Sequence, residues 1–471
     1  MKKIIASLPL LLLPVVAFAW STPYNISKNN TSITAIADIS IAVDKDGKTH
    51  VVWEAWRSDN YWGPHWIMYS SGMDTNWSTP VWLSGDTPSV SSASPNIVID
   101  KNGRPFVGWS DETKGQIYYT YQNSGAWTTP QPIGNGFYGT RMAVDSQNNI
   151  HAVWHGGDYT VWYCKWNWTT WSVPYQLEAD SSIDKAWPDI AIDSKGNIHV
   201  VAMEYRLSQG DPLTYFINDG TGWSKQPNPP DPSTSNSCYP RISIGLDDTI
   251  HLVWEERDTG YTGYYTCGKN NLWTTPRVLH DSFNAFSPQV VAVYNNIYCF
   301  WNAANDTGIG IYYAKRDSSS SWSTPEPLIK NRYTGAVCAS LNNSAKMFSV
   351  AWRNSSTVVY SWDTVYLGGM LPPQDTGIHW PPVLILKYAP NPTRNKIKLT
   401  YEVRISGFIR LNVYNLVGRQ VFVSDIGYKT KGPHVYEYYP DSSLASGVYF
   451  CQIVMKDVAY KTPLIKITLI K

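Results

Sequence analysis

A repeating pattern of apolar strands and polar turns runs through most of the chain. In most copies, a turn of the Asp-x-x-Gly or Asn-Asn type precedes an apolar run; the run ends in tryptophan in all copies but one, and a Tyr-rich strand follows. The residues that end these runs are Trp53, Trp109, Trp154, Ala202, Trp254, Trp301 and Trp352. A Trp-x-x-Pro segment completes most copies, so each copy holds four short strands and no convincing helical pattern. The pattern predicts an all-β protein.

The copies recur about every 50 residues, which is the period of a repeat architecture. Glycine and asparagine in the first hairpin of each copy adopt positive φ at low cost. The first two strands are almost continuously apolar, which is typical of strands that are covered on both faces. Four-stranded units of this length that stack radially are propeller blades, so the seven copies predict a seven-bladed β-propeller.

The two ends of the repeat region complement each other. The last copy contains Tyr360 and Trp362 but lacks the Trp-x-x-Pro strand, whereas Trp20 to Pro23 forms such a segment before the first copy. We therefore expect residues 20–366 to form the propeller, with the N-terminal strand (Trp20 to Ile26) closing the last blade beside Val358 to Trp362. This closure would cover an edge that otherwise promotes aggregation.

The first 19 residues predict a cleaved signal peptide. Lys2 and Lys3 precede an apolar run from Ile4 to Phe18, and small residues stand before the expected cleavage after Ala19. The run is short for a membrane span, and no later stretch contains 18 consecutive apolar residues. We expect no integral membrane segment after cleavage.

The C-terminal part differs from the repeat. Paired prolines and glycines indicate a linker over residues 367–384, and alternating strands predict a small antiparallel β-sandwich over residues 385–471. Three motifs occur there in order: Asn391-Pro392, Asn415 to Arg419, and Leu444 to Tyr449. Together they resemble the type A C-terminal sorting domain of the type IX secretion system, with an Ig-like fold; an unrelated Ig-like module is the alternative. The resemblance implies a secreted or outer-membrane surface protein whose partner is the type IX machinery.

The propeller resembles the sialidase-like and BNR-repeat families more loosely. Their Ser-x-Asp-x-Gly-x-Thr-Trp box is not reproduced, although Asp-x-x-Gly precedes several of the tryptophans that end the apolar runs. We call a position that recurs from copy to copy, such as that of these tryptophans, a column. Similar propellers include lectins and polysaccharide lyases, so this resemblance implies a fold and leaves the activity open.

Charge and cysteine usage narrow the functional classes. The net charge is +1 and no long basic or acidic run occurs, which argues against nucleic acid as a partner. The six cysteines are dispersed without the spacing of a disulfide framework or a zinc site, so we expect mostly unpaired thiols. The 23 Trp and 32 Tyr suit doubly covered strands and also surfaces that stack on sugars or proteins.

Two repeated polar columns favour structural roles. The histidines occupy one position per copy, and aromatic residues (Phe106 and Tyr298) replace them in two copies; these histidines are His50, His151, His199 and His251. The aspartates of the first hairpins can bond nearby backbone N–H groups as Asx-turns; they are Asp44, Asp100, Asp145 and Asp193. We expect no metal and no cofactor at either column.

Residues that break the repeat are the candidates for function. The loops between the second and third strands and between successive blades should emerge on one face around the channel. The candidate ligand-binding residues on this face are Arg141, Arg241, Arg353, Glu54, His155, Glu204 and Glu255. A carbohydrate- or protein-binding module would use them to bond hydroxyls or carboxylates while aromatic side chains stack.

Three other interpretations remain open at this stage. In a sialidase-like hydrolase or a polysaccharide lyase acting on an acidic glycan, the three arginines would clamp a carboxylate. Glu204 or Glu255, with Tyr205 or His155, would then supply acid, base or nucleophile. Alternatively, the loops are polar only because they are exposed to solvent. In a further alternative, the propeller docks a surface protein.

Overall fold

All regular elements in the described residues are β-strands, and the chain divides into two compact units, Ala19–Leu367 and Gly368–Lys471. No helix in the described part is long and apolar enough to cross a membrane. The computed structural model describes residues 23–27, 35–56, 64–73, 75–85, 91–178, 184–205, 212–230, 236–257, 260–280, 284–293, 296–305, 308–317, 320–330, 334–342, 347–354, 357–364, 383–389, 393, 396–403, 407–416, 419–430, 432–440, 444–455, 460–461 and 465–470. The predicted signal peptide and nearly all of the predicted linker lie outside these residues.

The first unit starts with a two-residue strand and continues with antiparallel sheets in chain order. The opening strand is β1 (Tyr24–Asn25). Sheet 1 contains β2 (Ala35–Val43), β3 (Thr49–Trp56), β4 (Trp66–Met73), β5 (Asn76–Trp77) and β6 (Val81–Trp82). Sheet 2 contains β7 (Ser92–Ile99), β8 (Pro105–Asp111), β9 (Gln116–Asn123), β10 (Ala126–Trp127) and β11 (Gln131–Asn135).

The next three sheets have the same plan. Sheet 3 contains β12 (Tyr138–Val144), β13 (Ile150–His155), β14 (Val161–Trp166) and β15 (Tyr175–Gln176). Sheet 4 contains β16 (Asp184–Ile192), β17 (Ile198–Tyr205), β18 (Leu213–Asn218) and β19 (Trp223–Gln226). Sheet 5 contains β20 (Ser237–Ile244), β21 (Ile250–Glu256), β22 (Thr262–Lys269), β23 (Leu272–Trp273) and β24 (Arg277–Val278).

The last two sheets complete this unit. Sheet 6 contains β25 (Asn284–Val293), β26 (Asn296–Asn305), β27 (Gly308–Arg316) and β28 (Glu326–Ile329). Sheet 7 contains β29 (Thr334–Asn342), β30 (Met347–Asn354) and β31 (Thr357–Thr364), with β1 as its outermost strand. In this pairing Tyr24 lies opposite Tyr360 and Asn25 opposite Val359. Residues 20–22 of the predicted closing strand lie outside the described residues.

The first strands of the sheets contact one another in a closed circuit. β2 contacts β7, and contacts then follow between β7 and β12, β12 and β16, β16 and β20, β20 and β25, and β25 and β29. β29 in turn contacts β2, so sheet 7 lies beside sheet 1. The second strands lie behind this circuit, and their column tryptophans are buried in the described structure. Burial on both faces explains the continuous apolar runs of the sequence.

The first hairpins confirm the Asx-turn interpretation. The Asp44 Oδ1 atom accepts hydrogen bonds from the backbone N–H groups of Asp46 (2.9 Å) and Lys48 (2.8 Å). Asp100, Asp145 and Asp193 accept the equivalent pairs. Each of these aspartates therefore stabilises the turn of its hairpin by accepting hydrogen bonds from two backbone N–H groups.

The histidine column has partners within its own sheets. His50 Nδ1 lies 2.7 Å from the Tyr69 hydroxyl, and its Nε2 lies 3.3 Å from Asp44 Oδ2. His151, His199 and His251 each bond a tyrosine hydroxyl in the same way. These contacts support the structural interpretation of the column, because a tyrosine hydroxyl bonds each of the four rings and the turn aspartate also bonds those of His50 and His151.

The second unit has two antiparallel sheets. The strands are β32 (Val383–Ala389), β33 (Ile397–Val403), β34 (Gly407–Asn415), β35 (Gln420–Lys429), β36 (Gly432–Tyr438), β37 (Gly447–Met455), β38 (Tyr460–Lys461) and β39 (Ile465–Leu469). One sheet has the order β32-β33-β36, and the other has the order β35-β34-β37-β38 with β39 also paired to β37. Both sheets contribute to one buried cluster, in which alternating residues of β33 such as Leu399 and Tyr401 contact residues of β34 and β37 such as Leu411 and Ile453. The alternation in the sequence therefore marks the core face.

Residues of two of the three tail motifs are described in this unit. The Asn415 side chain accepts the backbone N–H of Arg419 at 2.9 Å, which closes the turn after β34. The Tyr449 hydroxyl donates to the Ala445 carbonyl at 2.9 Å at the start of β37. Asn391 and Pro392, the first motif, lie outside the described residues.

Candidate ligand-binding site

A β-bulge interrupts the first strand of every sheet at nearly the same point. The pairing register shifts between Ile36 and Ile39, and the other shifts occur at Ala93/Asn96, Tyr138/Arg141, Ala186/Asp189, Cys238/Arg241, Phe286/Gln289 and Gly335/Val337. Five of the bulges contain a residue at positive φ, namely Ser94, Gly139, Trp187, Tyr239 and Ser287. Bulges redirect side chains and are common beside binding sites.

These bulges surround a cavity of about 480 Å³. Residues from the first strands of all seven sheets line it, so it lies inside the circuit of first strands. We call it the axial cavity. The structure brings three predicted site residues together on its wall, Arg141, Arg241 and Arg353, and adds a fourth arginine, Arg257.

Backbone carbonyls hold the three predicted arginines. A terminal nitrogen of Arg141 donates to the Thr140 carbonyl at 3.0 Å, and one of Arg241 donates to the Pro240 carbonyl at 2.8 Å. Arg353 bonds the Ile36 carbonyl of the neighbouring sheet at 3.0 Å. A guanidinium has five N–H donors, so one such bond fixes the side chain and leaves further donors for a ligand.

The electrostatics of the cavity favour an anion. Its lining contains four arginines and two aspartates, Asp38 and Asp189. Burial, together with the charge of Arg141, lowers the pKa of Arg241 to about 10, so Arg241 remains protonated at neutral pH. Burial also raises the pKa of Asp189, although Arg241 and Arg141 oppose that shift. The positive charges therefore outnumber the negative ones around a partly enclosed space.

Asp189 has a structural contact of its own. Its Oδ2 accepts the backbone N–H of Ile242 in the next sheet at 2.9 Å, while its Oδ1 lies 3.9 Å from Arg141 Nε. Asn96 has the equivalent role in sheet 2, because its Oδ1 accepts the backbone N–H of Met142 in sheet 3 at 2.9 Å. These two residues join neighbouring first strands and thereby keep the wall of the cavity in place.

Arg257 is held between aromatic rings and a buried carboxylate. Its guanidinium carbon lies 4.7 Å from the Tyr239 ring centroid and 5.5 Å from that of Tyr261. Its Nε donates to Glu255 Oε1 at 2.6 Å. Although partial burial opposes it, Glu255 raises the pKa of Arg257, which therefore stays charged. The fourth arginine is thus positioned before any ligand arrives.

Glu54 and Glu255 do not line the axial cavity, and they hold bulges instead. Glu255 Oε2 accepts the backbone N–H of Ser287, a bulge residue of the next sheet, at 2.6 Å. Glu54 Oε2 lies 3.5 Å from the backbone N of Ser94, and its Oε1 lies 2.5 Å from His65 Nδ1. A bulge leaves a ladder N–H unpaired, and a buried carboxylate satisfies it.

Glu204 and His155 also lie outside the lining of the axial cavity. Glu204 is fully buried and accepts a hydrogen bond from Lys225 Nζ at 2.8 Å. His155 is buried between the rings of Tyr138 and Tyr159, at centroid distances of 6.3 and 5.7 Å. Burial lowers the pKa of His155, so it is neutral at pH 7. Nothing is described of the Tyr205 side chain.

Sequence reasoning missed three aromatic residues that line the cavity: Trp187, Tyr239 and Phe286. A signal for two of them was present, because each bulge residue of the Trp187-Pro188 and Tyr239-Pro240 pairs precedes a proline. Proline cannot donate to a strand ladder and marks bulges and edges. In the described residues no cluster of three or more His, Cys, Asp or Glu side chains could hold a metal ion.

Comparison with protein families confirms the resemblance of the tail. Residues 387–466 match the family described as the Secretion system C-terminal sorting domain. The chain is therefore a secreted or outer-membrane-attached surface protein that engages a type IX secretion machinery through this domain. A comparison with curated protein sequences finds no match.

Solved structures are similar to the chain in fold alone. A protein of unknown function from Dyadobacter fermentans DSM 18053 has a TM-score of 0.50 and 11% identity, covering 74% of this chain and 99% of that one. A fungal alcohol oxidase of the AA5 family in complex with copper has a TM-score of 0.51 and 12% identity, covering 96% and 100%. A family 25 polysaccharide lyase, an ulvan lyase, has a TM-score of 0.49 and 11% identity, covering 70% and 94%. At these identities the likeness carries no activity.

Proposed function

We propose that the protein is a secreted module that binds an acidic glycan in the axial cavity. The observation that carries this proposal is the arrangement of Arg141, Arg241, Arg257 and Arg353 on the wall of one cavity that has only two aspartates. Guanidinium groups bind carboxylates and sulfates through paired hydrogen bonds, and they do so more strongly where water is partly excluded. The aromatic lining beside them suits the apolar faces of sugar rings.

The fold that would present this cavity is a seven-bladed β-propeller over residues 20–366. The closed circuit of first strands supports it, and so does the pairing of β1 with β31 at the outer edge of sheet 7. The shared core of its two sheets supports an Ig-like β-sandwich over residues 385–471. Residues 1–19 would be a signal peptide and residues 367–384 a linker.

Binding fits this site better than hydrolysis does. A glycosidase of the two-carboxylate type needs a pair of carboxyl groups that flank the scissile bond. The glutamates predicted for that role, Glu204 and Glu255, are engaged by Lys225 and by Arg257 with the Ser287 backbone. In the proposal Glu54 and Glu255 therefore support the bulges of the wall, Glu204 and His155 lie outside the cavity, and the arginines make the contacts with the ligand.

The proposal is tested with the mature chain on a glycan array, run beside turnover assays on acidic polysaccharides. Acidic glycans that bind are then titrated by calorimetry against Arg353→Ala and Arg241→Ala. We expect each variant to weaken binding at least tenfold, or about 1.4 kcal/mol, with the thermal unfolding temperature nearly unchanged for Arg353→Ala. Arg353→Lys retains a charge without the planar fork and should recover only part of the loss.

Two results would overturn this assignment. Binding of neutral glycans only, or acidic binding that survives both alanine variants, would exclude the arginines as the anchor. Turnover of an acidic polysaccharide that depends on Glu204 or Glu255 would make the protein an enzyme.

A further inference from the structure

A continuous row of rings leads away from the axial cavity. Tyr239 lies 5.0 Å from Trp187 by ring centroid, Trp187 lies 5.8 Å from Tyr138, and Tyr138 lies 6.3 Å from His155. The row ends at Tyr159, which is 57% exposed. We call these residues the aromatic row. It starts inside the cavity, where Trp187 and Tyr239 are lining residues, and reaches solvent at its far end.

A second segment extends the row on the other side of Tyr239. Arg257 lies between the rings of Tyr239 and Tyr261, and the Tyr261 ring lies 5.9 Å from Phe286. Tyr261 is 43% exposed, and Phe286 lines the cavity. Tilted and edge-on rings, with His155 buried among them, and a guanidinium thus follow one another across sheets 3 to 6.

The backbone is strained at the centre of this row. Trp187 has a φ of 52° and Tyr239 a φ of 49°. Positive φ is a genuine outlier for a bulky residue, and such outliers cluster at ligand-binding sites. Both residues precede proline within a bulge, so the bulge directs a large ring toward the cavity at an energetic cost.

The opposite side of the cavity has no such surface. There the lining residues from sheets 7, 1 and 2 include no aromatic ring; they are aliphatic or polar, such as Ile39, Ser40 and Ile97. A requirement of packing alone would apply to all seven bulges equally. The rings are instead restricted to one arc, which gives the site a direction.

We infer that the ligand is a polysaccharide chain rather than a terminal sugar. One acidic unit occupies the axial cavity at the arginines, and the following units lie along the aromatic row toward Tyr159. This inference rests on the proposed function and specifies its substrate class. The C–H faces of sugar rings stack on aromatic rings, and a row of rings offers successive units the same contact. The arginines select a negatively charged unit, and the rings toward Tyr159 make the affinity depend on the length of the chain.

The experiment compares oligosaccharides of uronic acids with two, four and six units, titrated by calorimetry against the mature chain. Wild-type protein should bind the hexamer at least tenfold more tightly than the dimer. Tyr138→Ala, which changes a residue that is 39% exposed, should remove most of this gain and change binding of the dimer less than twofold. Tyr138→Trp should restore the gain. Tyr175→Ala is the matched control, because Tyr175 is 50% exposed on the same unit but lies outside the row.

The outcomes separate this inference from the proposed function. If all lengths bind equally and depend on Arg353, the arginine site stands and the polymer inference is overturned. If Tyr138→Ala weakens the dimer as much as the hexamer, the ring belongs to a single-sugar site and the inference is also overturned. If no length binds, the proposed function itself fails for uronates. A loss of affinity in Tyr175→Ala equal to that in Tyr138→Ala would contradict a directed row.

Discussion

The first hairpins of sheets 1 to 7 differ between their turn end and their cavity end, although the same strands form both. At the turn end, sheets 1, 3 and 4 repeat one another: an aspartate accepts two backbone N–H groups and a histidine bonds a tyrosine hydroxyl. At the cavity end, every sheet has a bulge but the residues differ, from Ser94 to Trp187 and Tyr239. We expect the repeated residues to serve folding, and the residues that vary on a repeated backbone to be those that contact a ligand.

We expect the largest loss of stability from removal of β1, because both ends of the hairpins depend on the closed circuit of sheets. Ile26 is 3% exposed in the core between sheets 7 and 1, and its N–H bonds the Val358 carbonyl at 3.0 Å. Deletion of residues 20–26 removes this contact and exposes the edge of β31. We expect a loss of more than about 3 kcal/mol in the free energy of unfolding, together with aggregation. Thermal unfolding and light scattering measure both.

Truncation after residue 366 is the control for this deletion. It removes the sorting domain, so the remaining chain should stay folded and keep its affinity while surface delivery stops in a type IX host. A deletion of residues 20–26 that leaves a monomer with an unchanged unfolding temperature would show that β1 does not close the ring.

The turn end should be sensitive to acid through His251. Burial, with Arg316 nearby, lowers the pKa of His251 to about 4, whereas an unfolded histidine titrates near 6.5. As the pH falls from 6.5 to 4, the unfolded chain takes up a proton that the native chain does not. This difference costs about 3 kcal/mol by pH 4 and nothing above pH 7.

His251→Phe should remove this acid sensitivity, since Phe106 already occupies the same column. At pH 7 the variant should lose about 1 kcal/mol, because the Tyr265 hydroxyl loses its partner. Chemical unfolding at pH 4, 5.5 and 7 measures the slope. Equal slopes for variant and wild type would mean that His251 is not a buried neutral group.

The next effect concerns Asp145. Burial opposes the shift, but bonds from Asn149 and His151 lower the pKa of Asp145 to about 2. This stabilisation is present above about pH 4 and is lost as the pH falls through 2. Asp145→Ala should therefore cost about 2 kcal/mol in the free energy of unfolding at pH 7. Glycan affinity should not change, because the residue lies at the turn end.

Asp145→Asn is the matched variant for this position. It keeps an acceptor oxygen for the N–H groups of Gln147 and Asn149, so it should cost less than the alanine variant. An equal loss in both variants would assign the effect to charge alone. A change in affinity in either variant would break the division between the two ends.

The smallest effect has the opposite sign. Asp38 is an exposed carboxylate in the lining of the axial cavity, and its Oδ2 accepts a hydrogen bond from Ser94 Oγ at 3.1 Å. Asp38→Asn keeps this acceptor and removes a negative charge, so an acidic glycan should bind about two- to threefold more tightly. A neutral glycan serves as the control, and its affinity should not change. Weaker binding of the acidic glycan would contradict an anion site.

The sequence predicted the repeated features better than the unique ones. Column tryptophans, turn aspartates and the histidine column recur, so their periodicity indicates strands and turns without knowledge of tertiary contacts. Arg141, Arg241 and Arg353 could be singled out because they break the repeat, but they lie in strands rather than in the loops expected for them. The glutamates could not be placed, because the bulge N–H groups that Glu255 and Glu54 satisfy exist only after the strands pair. The same holds for the position of Arg257, which depends on the rings of Tyr239 in β20 and of Tyr261 before β22.

A crystal structure of the mature protein with a bound uronic acid hexamer is the sharpest test of whether the variable end of the hairpins forms one site for an acidic polysaccharide. We expect a carboxylate within hydrogen-bonding distance of at least two of Arg141, Arg241 and Arg353, with further sugar units over Trp187 and Tyr138. A hexamer bound elsewhere on the chain, with the axial cavity free of sugar, would contradict it.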